Sequence, residues 1–141
     1  MLSIQKGNNP AYNTFLKRRL TAYGTQFITN KKWLHSQKVN WYLKDRNGKV
    51  CGGLIGECLW GALHIDYLWI SPLHREQGYG KKLLAKAEKE AQKLGCYKLL
   101  VQTASYHAPD FYQEYGFETI GVVENYPVGH RFYYMEKLIL I

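Results

Sequence analysis

Arg75-Glu76-Gln77-Gly78-Tyr79-Gly80 stands where an apolar strand, Leu63 to Ile70, gives way to an amphipathic helix beginning near Lys81. Such a junction can hold a pyrophosphate. A helix start leaves its first backbone N–H groups without internal partners, and the aligned peptide dipoles add partial positive charge there, so anions settle readily. Gly78 and Gly80 let the main chain turn tightly and approach a ligand, while Arg75 and Lys81 bring full charges to phosphate oxygens. Spacing excludes two commoner nucleotide loops. A dinucleotide fingerprint needs glycine three residues after Gly80 and an acid about twenty residues on, but Leu83 and Thr103 stand there. A Walker loop needs glycine five residues before Gly80 and Ser or Thr after Lys81, and those places hold Arg75 and Lys82.

Outward from this turn, the helix predicted over Lys81 to Leu94 gathers Leu83, Leu84, Ala87, Ala91 and Leu94 on one face, with Lys82, Lys86, Lys89 and Lys93 largely opposite and Gly95 as its stop. Upstream, Val39, Trp41 and Leu43 alternate with Asn40, Tyr42 and Lys44, and Asp45-Arg46-Asn47-Gly48 supplies a hairpin turn. Strands over Val50 to Leu59 and Ala62 to Ile70 follow, parted by Trp60 and Gly61 and closed by Pro72. At the start of the chain, Asn9 and Pro10 read as N-cap and first helical position. Tyr12, Phe15, Leu16, Leu20 and Tyr23 then recur at helical spacing up to Gly24. Thr25 to Gln37 reads as a loop or a short second helix containing Trp33. Beyond Gly95 the pattern predicts a buried strand over Lys98 to Thr103, a short helix over His107 to Tyr115, and strands over Phe117 to Val123 and Arg131 to Leu138. An antiparallel start followed by alternating helices and strands predicts an α/β fold built on one mixed sheet.

Composition narrows the classes. A chain of 141 residues is long enough for one domain over residues 1–141, burying roughly 68% of its unfolded surface. With 46% apolar and 21% charged residues it reads as globular. No apolar stretch approaches the roughly 20 residues needed to cross a bilayer. Polar Gln5, Lys6, Gly7, Asn8 and Asn9 follow Met1 to Ile4 at once, so the core of a signal peptide is missing and a cytoplasmic protein without a membrane partner is expected. Cys51, Cys58 and Cys96 show no C-x-x-C spacing and read as reduced packing residues, with no metal expected. The net charge of +8 favours a polyanionic partner such as nucleic acid, an acidic membrane face or a phosphorylated cofactor. Only short basic clusters occur, Lys17-Arg18-Arg19 and Lys31-Lys32, so no segment reads as a nucleic-acid arm.

Arg-x-x-Gly-x-Gly on a strand-to-helix turn resembles the acetyl-CoA pyrophosphate motif of the GNAT N-acetyltransferase superfamily. Downstream, Tyr112-x-x-x-Gly116-Phe117 resembles that family's second signature. Order and separation of the two also match, so the resemblance covers roughly Val39 to Leu138. It implies a single-domain, mixed, largely antiparallel sheet flanked by helices, with a central strand pair that splays apart. It also implies acetyl-CoA as cosubstrate, held by Arg75, Glu76, Gln77, Gly78, Tyr79, Gly80 and Lys81, with the pantetheine arm laid along Leu68, Trp69 and Ile70. Ser105 stands where many members carry a cofactor-contacting asparagine, a departure that puts one contact in doubt. Family geometry brings Trp33, Trp41, Trp60 and the Glu124 to His130 segment near the acceptor opening, although each reads by itself as core or turn.

Acetyl transfer to an alkylamine requires the neutral amine, and losing that proton costs roughly 4.6 kcal/mol at pH 7 for a pKa near 10.4. The resemblance puts His64 where many members carry a catalytic Glu. Histidine titrates near neutrality, which suits His64 to take the proton. Strand periodicity puts Asp66 on the same face, about 6.5 to 7 Å away between α-carbons, where it can orient His64 or hold a cationic acceptor. Tyr112 occupies the family's general-acid position and can give a proton to the departing thiolate. The cysteines lie outside the motifs, which fits direct attack in a ternary complex. Two other classes stay open at this point. One is a noncatalytic acyl-CoA-binding sensor that keeps Arg75, Gly78 and Gly80. The other is a basic nucleic-acid-binding domain, marked by steeply salt-dependent binding. A small-molecule or a protein amine both fit as acceptor, and a homodimer stays open.

Overall fold

The computed structural model describes residues 1–139. Asn9 opens helix α1 (Pro10–Thr25) by accepting from the N–H groups of Ala11 and Tyr12. A single 3-10 turn over Lys31–Trp33 leads to strands β1 (Gln37–Lys44), β2 (Val50–Leu59) and β3 (Ala62–Ile70). A second 3-10 turn, Pro72–His74, precedes helix α2 (Tyr79–Lys93). Then come β4 (Lys98–Ala104), helix α3 (Pro109–Tyr115), β5 (Glu118–Glu124) and β6 (Arg131–Leu138). One sheet results, in the order β1-β2-β3-β4-β6-β5, antiparallel throughout except between β3 and β4. This is the mixed α/β class that the sequence predicts.

Local chemistry sets the turns. Between β1 and β2 the Asp45 carboxylate accepts from the N–H groups of Asn47 and Lys49 at 2.8 and 3.0 Å. Between β2 and β3 the chain doubles back at Gly61, whose φ is +86 and where a Cβ would lie 2.7 Å from the Tyr97 ring. Trp33 seals the same end, its indole N–H donating to the Gly95 carbonyl at 2.8 Å.

Val39, Leu54, Leu63 and Ile65 face the apolar side of α2, where Leu83, Leu84, Ala87 and Ala91 are buried. Trp41 lies under α2 as well, donating to Glu90 at 2.9 Å. α3 sits on the same side of the sheet, for Tyr115 donates to Glu88 of α2 at 2.8 Å and the same carboxylate pairs with Lys137 of β6 at 2.6 Å. Cys51, Cys58 and Cys96 are free thiols and buried, as expected of packing residues. α1 is different: it contributes no buried residue.

The central pair splays. β3 and β4 are in register only from Ala62 with Lys98 to Ile65 with Val101. Beyond that point β3 runs on to Ile70 beside β2, and β4 to Ala104 beside β6, with no pairing between them. The predicted splay is therefore present, and it opens toward the start of α2.

Candidate active site

At the end of β3 the Arg75 Nε donates to the Ile70 carbonyl at 2.8 Å, which folds the guanidinium back over the strand end. Glu76 at φ +61 and Gly78 at φ +85 then reverse the chain. A left-handed backbone at a residue with a side chain costs on the order of 1 kcal/mol, and such strain gathers at sites that need a particular geometry. A Cβ on Gly78 would meet nothing within 4 Å, so glycine is required there for its backbone angle alone. α2 starts at Tyr79, two residues before the expected Lys81. Gly80 is therefore inside the first helical turn, and its role changes accordingly. A Cβ on it would lie 3.0 Å from the Phe111 ring, so the missing side chain makes room for α3. No side chain caps this helix start and no acid occupies its first turn. Lys81 and Lys82 stand just inside it. The N-terminal amides keep their affinity for an anion.

The residues expected to line the splay lie on β3. Leu68 and Ile70 pack partly against the core, whereas Trp69 is exposed. Uninterrupted alternation, expected through this strand, fails at Asp66. Ile65 pairs with Gly56 and Tyr67 with Ile55, leaving Asp66 as one additional residue, a β-bulge. The bulge switches the phase of the strand, so Leu63 and Ile65 before it and Leu68 and Ile70 after it all face the core. His64 and Asp66 make no hydrogen bond to each other. His64 instead lies directly across from Glu57 of β2, an acid that spacing within one strand does not reveal. The Ser36 hydroxyl donates to Glu57, and this bond above all, with Lys38 at 3.5 Å and His64 adding, holds the Glu57 carboxyl below the usual range.

Tyr112 is buried, its ring in edge contact with Phe111 at 5.2 Å and Phe117 at 5.4 Å. Burial pushes its phenol up to about 12. Among the described residues no buried side-chain polar atom lacks a partner. The Tyr112 hydroxyl bonds to no protein group, so it reaches the surface. Ser105 follows β4, its hydroxyl accepting from the Arg131 N–H at 3.2 Å and meeting His130 Nδ1 at 3.3 Å. That hydroxyl is committed to holding the start of β6, which bears on its expected role as a cofactor contact. Trp33 and Trp60 sit at the end of β3 away from the glycine turn, and Trp41 lies under α2. All three are core or turn residues.

Residues 3–117 match the model of the acetyltransferase (GNAT) family. The chain is 37% identical over 89 residues to a blasticidin-S acetyltransferase of Streptomyces morookaense, a match covering 62% of this chain and 65% of that protein. It is 34% identical over 99 residues to an acetyltransferase of Agrobacterium fabrum, covering 70% of this chain and 72% of that one. Among solved structures, an acetyltransferase from Bacillus cereus superposes with a TM-score of 0.88 at 31% identity, over 97% of this chain and 98% of the other.

Proposed function

The chain belongs to the GNAT acetyltransferase family, and from that premise we propose that it carries the acetyl group of acetyl-CoA to an amine by direct attack in a ternary complex. The observation that carries this reading is a conjunction at one end of β3. The strand parts from β4 after Ile65, and its continuation leads through a left-handed Gly78 into an uncapped, acid-free helix start. In this reading the pyrophosphate lies on the turn from Arg75 through Glu76, Gln77, Gly78, Tyr79 and Gly80 to Lys81. The free edge of Leu68, Trp69 and Ile70 takes the pantetheine arm as an added strand, with Ser105 at its far side.

His64 removes the proton from the acceptor ammonium, with Glu57 directly across from it on β2. Asp66, exposed and without an ion pair, attracts a cationic acceptor to the opening. Tyr112 steadies the departing sulfur. Complete transfer of its proton, from a phenol at about 12 to a thiol near 8.5, is uphill by roughly 5 kcal/mol. It therefore acts by hydrogen-bond donation, and solvent completes the protonation. Among the described residues no helix is long and apolar enough to cross a membrane, and the protein is read as a cytoplasmic enzyme acting on a small-molecule or protein amine.

Titration calorimetry with acetyl-CoA tests the cofactor site, and thiol release across an amine panel tests the reaction. Blasticidin S belongs first in that panel because the Streptomyces relative is named for it. Saturable binding with acceptor-dependent CoA release is expected. Absence of binding at low ionic strength defeats the reading.

A further inference from the structure

α1 is built inside out for a monomer. Tyr12, Phe15, Leu16, Leu20 and Tyr23 form one apolar stripe, and each is between 57% and 74% exposed. The opposite, polar face, with Thr14, Lys17, Arg18 and Thr21, is the one turned toward its own chain, where it lines an open groove with Leu34 and His35. Helices of this length owe their stability to packing of an apolar face more than to propensity. In the same chain Tyr23 meets Phe27 edge-on at 5.5 Å, and Phe27 is itself exposed.

The sheet has a matching deficit. Its α2 side is covered, but the reverse side carries the rows Tyr42-Gly53-Trp69 and Asn40-Ile55-Tyr67, set side by side by strand register. Tyr42, Ile55, Tyr67 and Trp69 are all exposed, Tyr67 at 70%. A folded monomer of this mass exposes about 7,500 Å², whereas this chain exposes 10833 Å². The excess, roughly 3,000 Å² for each chain, is ample for the roughly 1,000 to 2,500 Å² that each partner of an obligate homodimer removes from water, the rest lying partly in the exposed tail before α1. α1 contains no acid, and Arg19 lies over the Phe15 ring within the apolar stripe at 5.5 Å.

We propose that the reverse face of the sheet is the seat for α1 of a second copy of this chain, in a two-fold dimer that exchanges the two helices. One chain supplies both the unpartnered stripe and the unpartnered face, and a two-fold axis satisfies both twice.

Light scattering and sedimentation equilibrium at micromolar concentration give the test. The expected mass is twice the chain's 16.4 kDa. Phe15→Asp with Leu20→Asp on the helix, and separately Ile55→Asp on the sheet, each return it to the single-chain value while circular dichroism keeps its folded signature. Tyr67→Ser serves as the sheet variant if Ile55→Asp fails to fold. A single-chain mass for the unaltered protein overturns the proposal, as does a doubled mass that survives either set of substitutions. A single-chain protein that cosediments with phosphatidylglycerol vesicles also overturns it, assigning the basic, apolar helix to a lipid surface instead.

Discussion

Tyr112 keeps its proton throughout the physiological range, because burial lifts its phenol to about 12. Its contribution to acetyl transfer is then a hydrogen bond to a sulfur that gains charge, of the strength of bonds to charged groups. Tyr112→Phe is expected to lower kcat by about 10- to 100-fold with acetyl-CoA affinity unchanged in calorimetry. The wild-type rate is expected to show no loss from Tyr112 ionisation below pH 11. An equal fall in affinity would make the residue a packing element. Glu57 gives a prediction in the acid range. Its folded-state value is depressed, chiefly by the Ser36 hydroxyl, so its stabilising contribution is complete above the ordinary value of 4.5 and drains as pH falls through the lower folded one. Urea titrations of Glu57→Gln and wild type between pH 6 and pH 3 check this: the stability gap between them is expected to narrow as pH drops. Tyr112 was legible because a motif names its position within a local run. Glu57 was not, since its place opposite His64 follows from pairing between β2 and β3 shifted by the bulge at Asp66.

At the level of elements, α2 and α3 meet where Gly80 receives the Phe111 ring. Gly80→Ala forces that ring to move and is expected to lower stability in chemical unfolding. Shortening the ring with Phe111→Leu in the same chain should give a loss smaller than the sum of the two single effects, since the residues share one contact. Strict additivity would mean that the alanine acts elsewhere. Periodicity predicted nearly every element, and β6 even in its bounds, because most carry one regular apolar face, buried in β1 to β4 and α2 and left exposed in α1. The start of α2 escaped by two residues, since Tyr79 and Gly80 look like turn from composition, whereas the helix begins at Tyr79 with Gly80 against the Phe111 ring. The bulge was written in the sequence as a slip from Leu63 and Ile65 to Leu68 and Ile70, but alternation read from His64 through Asp66 passes over it. The predicted splay came with the family resemblance, because no local pattern says where two parallel strands part.

For the whole molecule, the apolar spacing of α1 announced a helix that buries a face, and it said nothing of what lies against that face. Every residue from position 1 to position 23 is exposed in the single chain. A two-fold exchange of α1 turns that exposure into core and makes folding depend on association. Unfolding and dissociation then occur together, so the melting temperature rises with protein concentration. With about 0.7 kcal/mol of unfolding enthalpy per residue, two chains of this length give a rise of roughly 2 to 3 °C for each tenfold increase in concentration. Scanning calorimetry over two decades of concentration is expected to show that slope for the unaltered chain and to lose it in Phe15→Asp with Leu20→Asp, which melts at one temperature whatever its concentration. A flat response in the unaltered chain would separate folding of the sheet from exchange of the helix, since the core under α2, with Leu54, Leu63 and Leu84 fully enclosed, is complete within one copy.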